Sequence, residues 1–368
     1  MKIYFAPLEG ITGYSYRNTH RCFFTGADKY YAPFVAPNYT HHLKGKERAD
    51  VEPQNNAGMP LVPQILSNHA EDFIWAAREL YSMGYREINL NLGCPMPTVV
   101  RKGRGAGQLA DPEALDRFLE EICEGMEAAF GLESGNALVS SREELSLPGG
   151  KTQYDAPADI SESGTFDRTC CREADLRERP KEKLRFSVKT RIGLDSSEVA
   201  SELLAVYNRY PVYELTVPPR TQKDLYRNTP DLEVFGMFLE GSVHPIVYNG
   251  DLCTPADLEK LSDRFPQCCA VMIGRGLIAD PALARELKGG APLQKKELQQ
   301  FHAALFEAAA ATLPGTSPVL GHMKELWVYM GRNFTGAERY LKEIRKARTL
   351  VQYQGAVRAL FANADFRG

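Results

Sequence analysis

Short runs of β-branched and aromatic residues, bounded by glycine, proline and polar turn residues, recur along the chain as far as residue 273. Such runs are typical of buried β-strands. We predict eight strands, at residues 2–6, 29–34, 61–66, 87–92, 185–191, 212–217, 245–248 and 270–273. An amphipathic stretch follows most of them, and strands that alternate with helices build a parallel sheet. The pattern therefore predicts an α/β fold, a (β/α)8 TIM barrel over residues 1–290.

Several helix starts are marked by a capping residue followed by proline at the first helical position. These motifs are Asp111-Pro112-Glu113, Thr229-Pro230-Asp231, Thr254-Pro255-Ala256 and Asp280-Pro281-Ala282. Two stretches break the strand–helix alternation. Residues 37–60 are polar and punctuated by proline, which predicts a long loop, and residues 131–183 are polar without sustained periodicity, which predicts an insertion in the barrel.

The last part of the chain has a different composition from the barrel. Alanine-rich helical patterns at residues 301–312, 321–330 and 336–361 predict an all-helical domain over residues 291–368. The whole chain has a net charge of −3, but this segment holds 11 Lys and Arg against 6 Asp and Glu. Such asymmetry is typical of an appended module that binds anions. Its basic residues crowd together at Arg339, Lys342, Arg345, Lys346 and Arg348. They are either a solvated helix face or a contact for phosphates.

The composition is that of a globular protein, with 43% hydrophobic and 25% charged residues. No apolar run is long enough to span a membrane and the first residues do not form a signal peptide, so we expect a cytoplasmic protein with no membrane partner. The eight cysteines have no disulfide-framework spacing and form no C-x-x-C pair. We expect free thiols and no metal site.

In a (β/α)8 barrel the carboxyl ends of the strands meet at one mouth, where the active sites of this fold lie. Gly250 and Gly274 follow the last two predicted strands, and Arg275 stands beside Gly274. Glycines allow backbone N–H groups to approach an oxyanion, and these two loops are the usual phosphate-binding corner of the fold. Lys189 would add a point charge. The sequence therefore predicts a phosphorylated cofactor. The glycines at 103–107 follow a loop rather than a strand, so we do not interpret them as a dinucleotide site.

Cys94 follows the fourth predicted strand and lies between Gly93 and Pro95, at the predicted mouth. A cysteine there is either a small buried residue or a catalytic group. No histidine is evidently placed to ionise it, and an unperturbed thiol is mostly protonated at neutral pH. This favours a proton donor over a thiolate nucleophile.

Together these motifs resemble the tRNA-dihydrouridine synthase family, flavoenzymes that reduce uridine in RNA. The resemblance rests on residues 6–12, Gln64, the Asn-x-Gly-Cys-Pro element at 91–95, the strand that carries Lys189 and Arg191, and the glycine motifs at 249–251 and 274–276. It implies a TIM barrel with a helical C-terminal domain. It also implies FMN bound by Pro7, Gln64, Lys189, Asn249, Gly250, Gly274 and Arg275.

The resemblance further implies the chemistry. Cys94 would be the catalytic acid, with Asn91 and Arg191 facing the uracil, while reduced FMN gives hydride to carbon 6 and NADPH regenerates the flavin. The substrate would be RNA, tRNA or else rRNA, whose phosphates the basic helical domain would bind. For the oligomeric state we favour a monomer.

One departure from the family pattern keeps other functions open. Where the family usually has His-x-Arg-Thr, this chain has Pro218-Pro219-Arg220-Thr221, so a histidine expected against FMN is absent. One alternative is an FMN oxidoreductase that acts on a small pyrimidine, like dihydroorotate or dihydropyrimidine dehydrogenases. The other is an RNA-binding protein with a degenerate flavin site.

Overall fold

The structure, a computed structural model, describes residues 1–133 and 183–367, so nearly all of the predicted insertion lies outside the described residues. Within them, ten strands form one sheet, and all of its strand pairs are parallel. The strands are β1 Lys2–Phe5, β2 Lys29–Tyr31, β3 Leu61–Val62, β4 Gln64–Ile65, β5 Glu87–Asn91, β6 Leu132–Glu133, β7 Leu184–Lys189, β8 Leu215–Val217, β9 Ile246–Tyr248 and β10 Ala270–Ile273.

The sheet closes into a barrel at residues 61–65. β3 pairs with β2, β4 pairs with β5, and Pro63 is the one residue between β3 and β4. Proline has no N–H to donate to the ladder, so it divides one barrel strand into two short segments. The remaining order runs from β2 through β1, β10, β9, β8 and β7 to β5, and β6 pairs with β7 off this path. The predicted (β/α)8 barrel is confirmed, with β3 and β4 together as its third strand.

The inside of the barrel is ionic at the amino ends of the strands and polar at the carboxyl ends. At the amino end Lys29 donates to Glu87 at 2.8 Å and to Glu214 at 2.6 Å. Above this cluster lies an apolar layer that consists of Tyr4, Ala6, Tyr31, Val62, Val247, Ala270 and Met272. Because side chains alternate along a strand, Glu87, Asn89 and Asn91 of β5 share one face. That face brings Asn91 to the mouth.

Helices surround the barrel at Tyr14–Phe23, Ala70–Ser82, Pro112–Phe130, Ala200–Tyr207, Leu232–Gly241 and Pro255–Arg264. The predicted starts at Asp111 and Thr254 are confirmed, since their side chains accept the N–H groups of Ala114 and Asp257. The other two predicted starts are wrong. Asp231, and not Thr229, caps the helix by accepting the Val234 N–H. The helix after Pro281 begins only at Leu283, because Asp280 accepts the Ala282 N–H in a turn.

The prediction of a long loop at residues 37–60 is wrong in part. A helix, Gly45–Val51, and a 3-10 turn, Pro53–Asn56, lie within it. Buried contacts hold this segment: Asp50 accepts the Tyr14 N–H at 2.6 Å, and the buried Arg17 donates to the Asn56 side chain at 2.8 Å. Tertiary contacts of this kind leave no periodicity in the sequence.

The last part of the chain is helical, at Lys295–Thr312, Thr316–Met330, Glu338–Lys346 and Leu350–Asn363, with a small antiparallel pair of Phe334–Thr335 and Asp365–Phe366. The helical pattern at residues 336–361 corresponds to two helices, because Thr349 accepts the Gln352 N–H and starts a new one. The boundary predicted at residue 291 stays a prediction.

The helical region packs along the side of the barrel and reaches its mouth. The Phe301 ring lies 5.0 Å from the Phe24 ring, and Asn333 donates to the Ala279 carbonyl at 2.6 Å, just beyond β10. His322 hydrogen-bonds with the Gly10 carbonyl at 3.1 Å, beyond β1. A helix long and apolar enough to cross a membrane is absent from residues 1–133 and 183–367.

Candidate active site at the mouth of the barrel

The predicted cofactor and substrate residues lie at the same end of the barrel. They occupy the last two positions of their strands or the three residues that follow, from β1 to β10, and they comprise Pro7, Gln64, Asn91, Cys94, Lys189, Arg191, Asn249, Gly250, Gly274 and Arg275. Because all these strands are parallel and the sheet is closed, their carboxyl ends form one rim. The structure therefore brings the predicted residues to one mouth, while their individual roles stay predictions.

A chain of hydrogen-bonded side-chain amides leads from inside the barrel to residues 92–96, the loop after β5 that carries Cys94 and is called the cysteine loop below. Asn89 donates to Ser187 at 3.0 Å, Gln64 donates to Asn89 at 2.7 Å, and Asn91 donates to Gln64 at 2.7 Å. The Asn91 oxygen then accepts the backbone N–H groups of Gly93 at 3.0 Å and Cys94 at 2.8 Å. Each bond fixes the orientation of the next amide. Asn91 thus holds the loop that carries Cys94.

The cysteine loop packs tightly against β7 and its following residues. A Cβ on Gly93 would lie 2.9 Å from the Thr190 carbonyl oxygen, so only glycine fits there. The Cys94 side chain is half-buried, and this burial raises the pKa of its thiol, although the Met96 N–H and the positive charge of Lys189 act in the opposite direction. The thiol is therefore protonated at neutral pH and suited to donate a proton.

Two cations stand beside the cysteine loop. Burial, together with the charge of Arg191, lowers the pKa of Lys189 to about 7. Within the described residues the Lys189 ammonium has no hydrogen-bond acceptor and no ion-pair partner. A half-buried ammonium without an acceptor is unusual and fits a position that receives an electron-rich ligand atom.

Arg191 is buried and ties two loops together. Its guanidinium donates to the carbonyls of Gly93 at 2.8 Å, Thr221 at 2.7 Å and Leu225 at 3.1 Å, and burial lowers its pKa. No carboxylate pairs with it in the part of the chain that the structure describes. In this arrangement Arg191 joins the cysteine loop to the loop after β8.

The loops after β9 and β10 form the predicted phosphate corner, and the loop after β8 lies against it. Asp251 pairs with Arg220 and with Arg275, so one carboxylate serves two guanidinium groups. A Cβ on Gly250 would lie 1.9 Å from the Tyr248 hydroxyl, which makes glycine necessary at this close approach. The Asn249 amide donates to the Met272 carbonyl at 2.6 Å and joins β9 to β10. The corner is compact and carries an excess of positive charge.

Two residues of the mouth escaped the sequence analysis. Gln222 donates to the Pro95 carbonyl at 2.8 Å and so holds the far side of the cysteine loop. Tyr226 is 56% exposed, and its ring lies over the guanidinium groups of Arg191 at 5.5 Å and Arg275 at 5.1 Å. Both belong to an irregular loop that has no motif. Their position after a barrel strand was the one available signal.

The predicted RNA contacts are on the surface of the helical region. All five basic side chains are exposed, and only Arg339 forms an ion pair within the described residues, with Glu343 at 3.3 Å. Trp327, which lies upstream of them, is buried and donates to the Tyr353 hydroxyl at 2.8 Å, so it belongs to the core of the region. The exposed cations are available to phosphates.

The glycine-rich stretch at 103–107 leads into a 3-10 turn, Gly105–Ala110, after the short helix Pro97–Val100. It therefore follows no strand, as expected. No cluster of three or more metal-binding side chains occurs in residues 1–133 and 183–367. The six cysteines in that part of the chain are free thiols.

The fold and the mouth define a (β/α)8-barrel protein with Lys189, Arg191, Arg220 and Arg275 at the carboxyl ends of its strands. The particular family follows from comparison with known sequences: the chain belongs to the dihydrouridine synthase (Dus) family, whose model matches residues 4–130 and 177–363. The resemblance predicted from the motifs is confirmed. The unmatched stretch between the two segments falls within the predicted insertion.

Several curated relatives are similar over most of the chain. A tRNA-dihydrouridine(16) synthase of Neisseria meningitidis serogroup A is 23% identical over 94% of this chain and 90% of its own. A tRNA-dihydrouridine(16) synthase of Cupriavidus necator is 23% identical over 78% of this chain and 74% of its own. A probable tRNA-dihydrouridine synthase of Rhodobacter capsulatus is 23% identical over 89% of this chain and 80% of its own.

Solved structures are similar at a lower level. Morphinone reductase has a TM-score of 0.46 with 12% identity and covers 80% of this chain and 87% of its own. A variant of NCR from Zymomonas mobilis has a TM-score of 0.47 with 14% identity and covers 82% of this chain and 90% of its own. The fold assignment rests on the strand pairing described above.

Proposed function

We propose that this protein is a flavin-dependent tRNA-dihydrouridine synthase, which uses NADPH and FMN to reduce the C5–C6 double bond of uridine in tRNA. The observation that carries the proposal is the mouth itself, where a protonated thiol at Cys94 lies in the same rim as Lys189 and Arg191. Membership of the dihydrouridine synthase family and similarity to named tRNA-dihydrouridine synthases support it.

The donor set at the mouth fits FMN. The Lys189 ammonium has no acceptor of its own within residues 1–133 and 183–367, and the phosphate corner has two guanidinium groups for one carboxylate. We assign Lys189, Gln64 and Pro7 to the flavin ring system and its carbonyls. The phosphate is assigned to the residues of the corner, which are Asn249, Gly250, Gly274 and Arg275. Pro218 removes one expected histidine but leaves these donors in place.

When bound and reduced by NADPH, FMN supplies hydride to carbon 6 of the uracil. The protein must then provide a proton at carbon 5, and the Cys94 thiol holds one at neutral pH because burial raises its pKa. Asn91 and Gln222 hold the two sides of the loop, so the thiol keeps a fixed position. We assign Asn91 and Arg191 to the edge of the uracil as well, where their N–H groups would stabilise charge that develops on its carbonyl oxygens.

A base within folded RNA must leave its stack before it can enter a barrel mouth. Contacts to the surrounding phosphates offset part of that cost. We assign this role to the exposed cations of the helical region, namely Arg339, Lys342, Arg345, Lys346 and Arg348, because they are solvated and the region packs beside the mouth. A preference for tRNA over rRNA, a cytoplasmic location and a monomeric state remain predictions.

The proposal is tested by re-oxidation of the reduced protein. The chain loaded with FMN and reduced by NADPH without oxygen is mixed with unmodified tRNA, rRNA, uridine, uracil or orotate, and the flavin absorbance is followed. We expect tRNA to re-oxidise the flavin at least ten-fold faster than any small pyrimidine. Faster oxidation by orotate or uracil would assign the protein to small-pyrimidine metabolism instead. A chain that takes up no FMN would favour the RNA-binding alternative.

A further inference from the structure

Three loops of the mouth converge on one carboxylate. Arg220 follows β8, Asp251 follows β9, and Arg275 follows β10. Both terminal nitrogens of Arg220 donate to Asp251, one of them at 3.3 Å, while its Nε donates to the Asn228 carbonyl at 2.6 Å. Arg275 also donates to Asp251, and it donates to the Tyr226 carbonyl at 3.4 Å. Asp251 is thus the link between two guanidinium groups.

The environment of the three residues differs. Arg220 is only 4% exposed, whereas the Asp251 side chain is 44% exposed and opens to the mouth. Within the described residues neither arginine has a second carboxylate partner. Two like charges this close repel each other, so their shared counter-ion decides where both guanidinium groups point. A planar guanidinium binds a phosphate well only when its fork is correctly oriented.

We propose that Asp251 is a positioning residue for the phosphate of the cofactor. It holds Arg220 and Arg275 as one unit, so that Arg275 meets the phosphate in a fixed orientation. The inference rests on the proposed function, since it concerns the same cofactor, but it assigns a role to Asp251 and Arg220 that the binding residues named above do not include.

Charge and orientation predict opposite effects when Asp251 is removed. If the carboxylate acted through its charge alone, its loss would strengthen the attraction for a phosphate dianion, and FMN would bind more tightly. If it acts by orienting the arginines, its loss releases both, and FMN binds more weakly. We expect the second effect, with about a ten-fold or greater loss, as for a charge-assisted hydrogen bond.

The experiment measures dissociation constants by quenching of flavin fluorescence, for FMN and for riboflavin, which lacks the phosphate. In Asp251→Ala the affinity for FMN should fall about ten-fold and that for riboflavin should stay unchanged, with partial recovery in Asp251→Glu. Asp195→Asn is the matched control, because Asp195 is an exposed rim carboxylate that pairs with Lys223 at 2.9 Å away from the corner. It should alter neither affinity.

Unchanged or tighter FMN binding in Asp251→Ala would overturn the inference. An equal loss for FMN and riboflavin would also overturn it, because a general distortion of the mouth would explain that result. Failure of the proposed function gives a different result. If the RNA-binding alternative holds, the unaltered chain binds neither flavin and the inference falls with it. If the protein reduces a small pyrimidine instead, the unaltered chain still binds FMN and the inference is tested as before.

Discussion

Asn91 is the residue whose removal should damage the cysteine loop most. It is 6% exposed and makes three side-chain hydrogen bonds of 2.7 to 3.0 Å, two to the backbone N–H groups of Gly93 and Cys94 and one to Gln64. In Asn91→Ala these partners lose their bonds in a buried setting, at about 1 to 3 kcal/mol for each group left without a partner. Partial hydration at the mouth favours the lower end, so we expect the free energy of unfolding to fall by about 3 kcal/mol.

The assay is thermal unfolding, combined with alkylation of Cys94 by iodoacetamide. A loss of about 3 kcal/mol corresponds to a fall in Tm of about 4 °C for a chain of this size, because its entropy of unfolding is about 0.8 kcal/mol/K. The released loop should also expose the thiol, bring its pKa towards the ordinary value and speed alkylation at pH 7 several-fold. Asn68→Ala is the control, since Asn68 makes two 3.1 Å bonds on the same rim, to Lys102 and Arg104, and should cost about 1 kcal/mol. Equal effects of the two variants would refute the reasoning.

Three further predictions concern chemistry and binding. Cys94→Ala should keep flavin and RNA binding but lower uridine reduction by about 10² to 10⁴-fold, and near-normal turnover would remove Cys94 from the mechanism. The pKa of Lys189 is lowered to about 7, so its positive charge is present below that pH and is lost as pH rises through it. Riboflavin affinity should therefore fall between pH 6 and 9 in the native chain, whereas Lys189→Met should bind weakly with a flat profile. Replacing both Arg345 and Lys346 by alanine should weaken tRNA binding and reduce the slope of log K against log salt by about 1 to 2. An unchanged slope would mean that the RNA contacts other residues.

The repeating parts of the fold were predictable because their periodicity is local. Strand β5 alternates Glu87, Asn89 and Asn91 with apolar residues, so both its existence and its inward face can be read from the sequence. The polar helix Gly45–Val51 could not be found in this way, because the buried Arg17, from a distant part of the chain, holds it by donating to the Asp50 carbonyl. Likewise, the cap at Thr349 competes with a helical pattern that continues across it.

The candidate site divides in the same way. Residues at strand ends, such as Gln64 and Lys189, could be assigned to the mouth once the barrel was predicted. Their partners could not. The link from Asp251 to Arg220 and Arg275 joins the segments that follow three different strands, and the position of Tyr226 over two arginines depends on the path of the loop after β8. No short-range pattern encodes such contacts.

The central claim is tested most directly by measuring dihydrouridine in tRNA. Unmodified tRNA is incubated with the purified chain, FMN and NADPH, digested to nucleosides, and analysed by mass spectrometry. We predict dihydrouridine in the tRNA with the native chain and a large loss of it with Cys94→Ala. If the protein binds FMN and oxidises NADPH but no dihydrouridine is found in the tRNA, the account is contradicted.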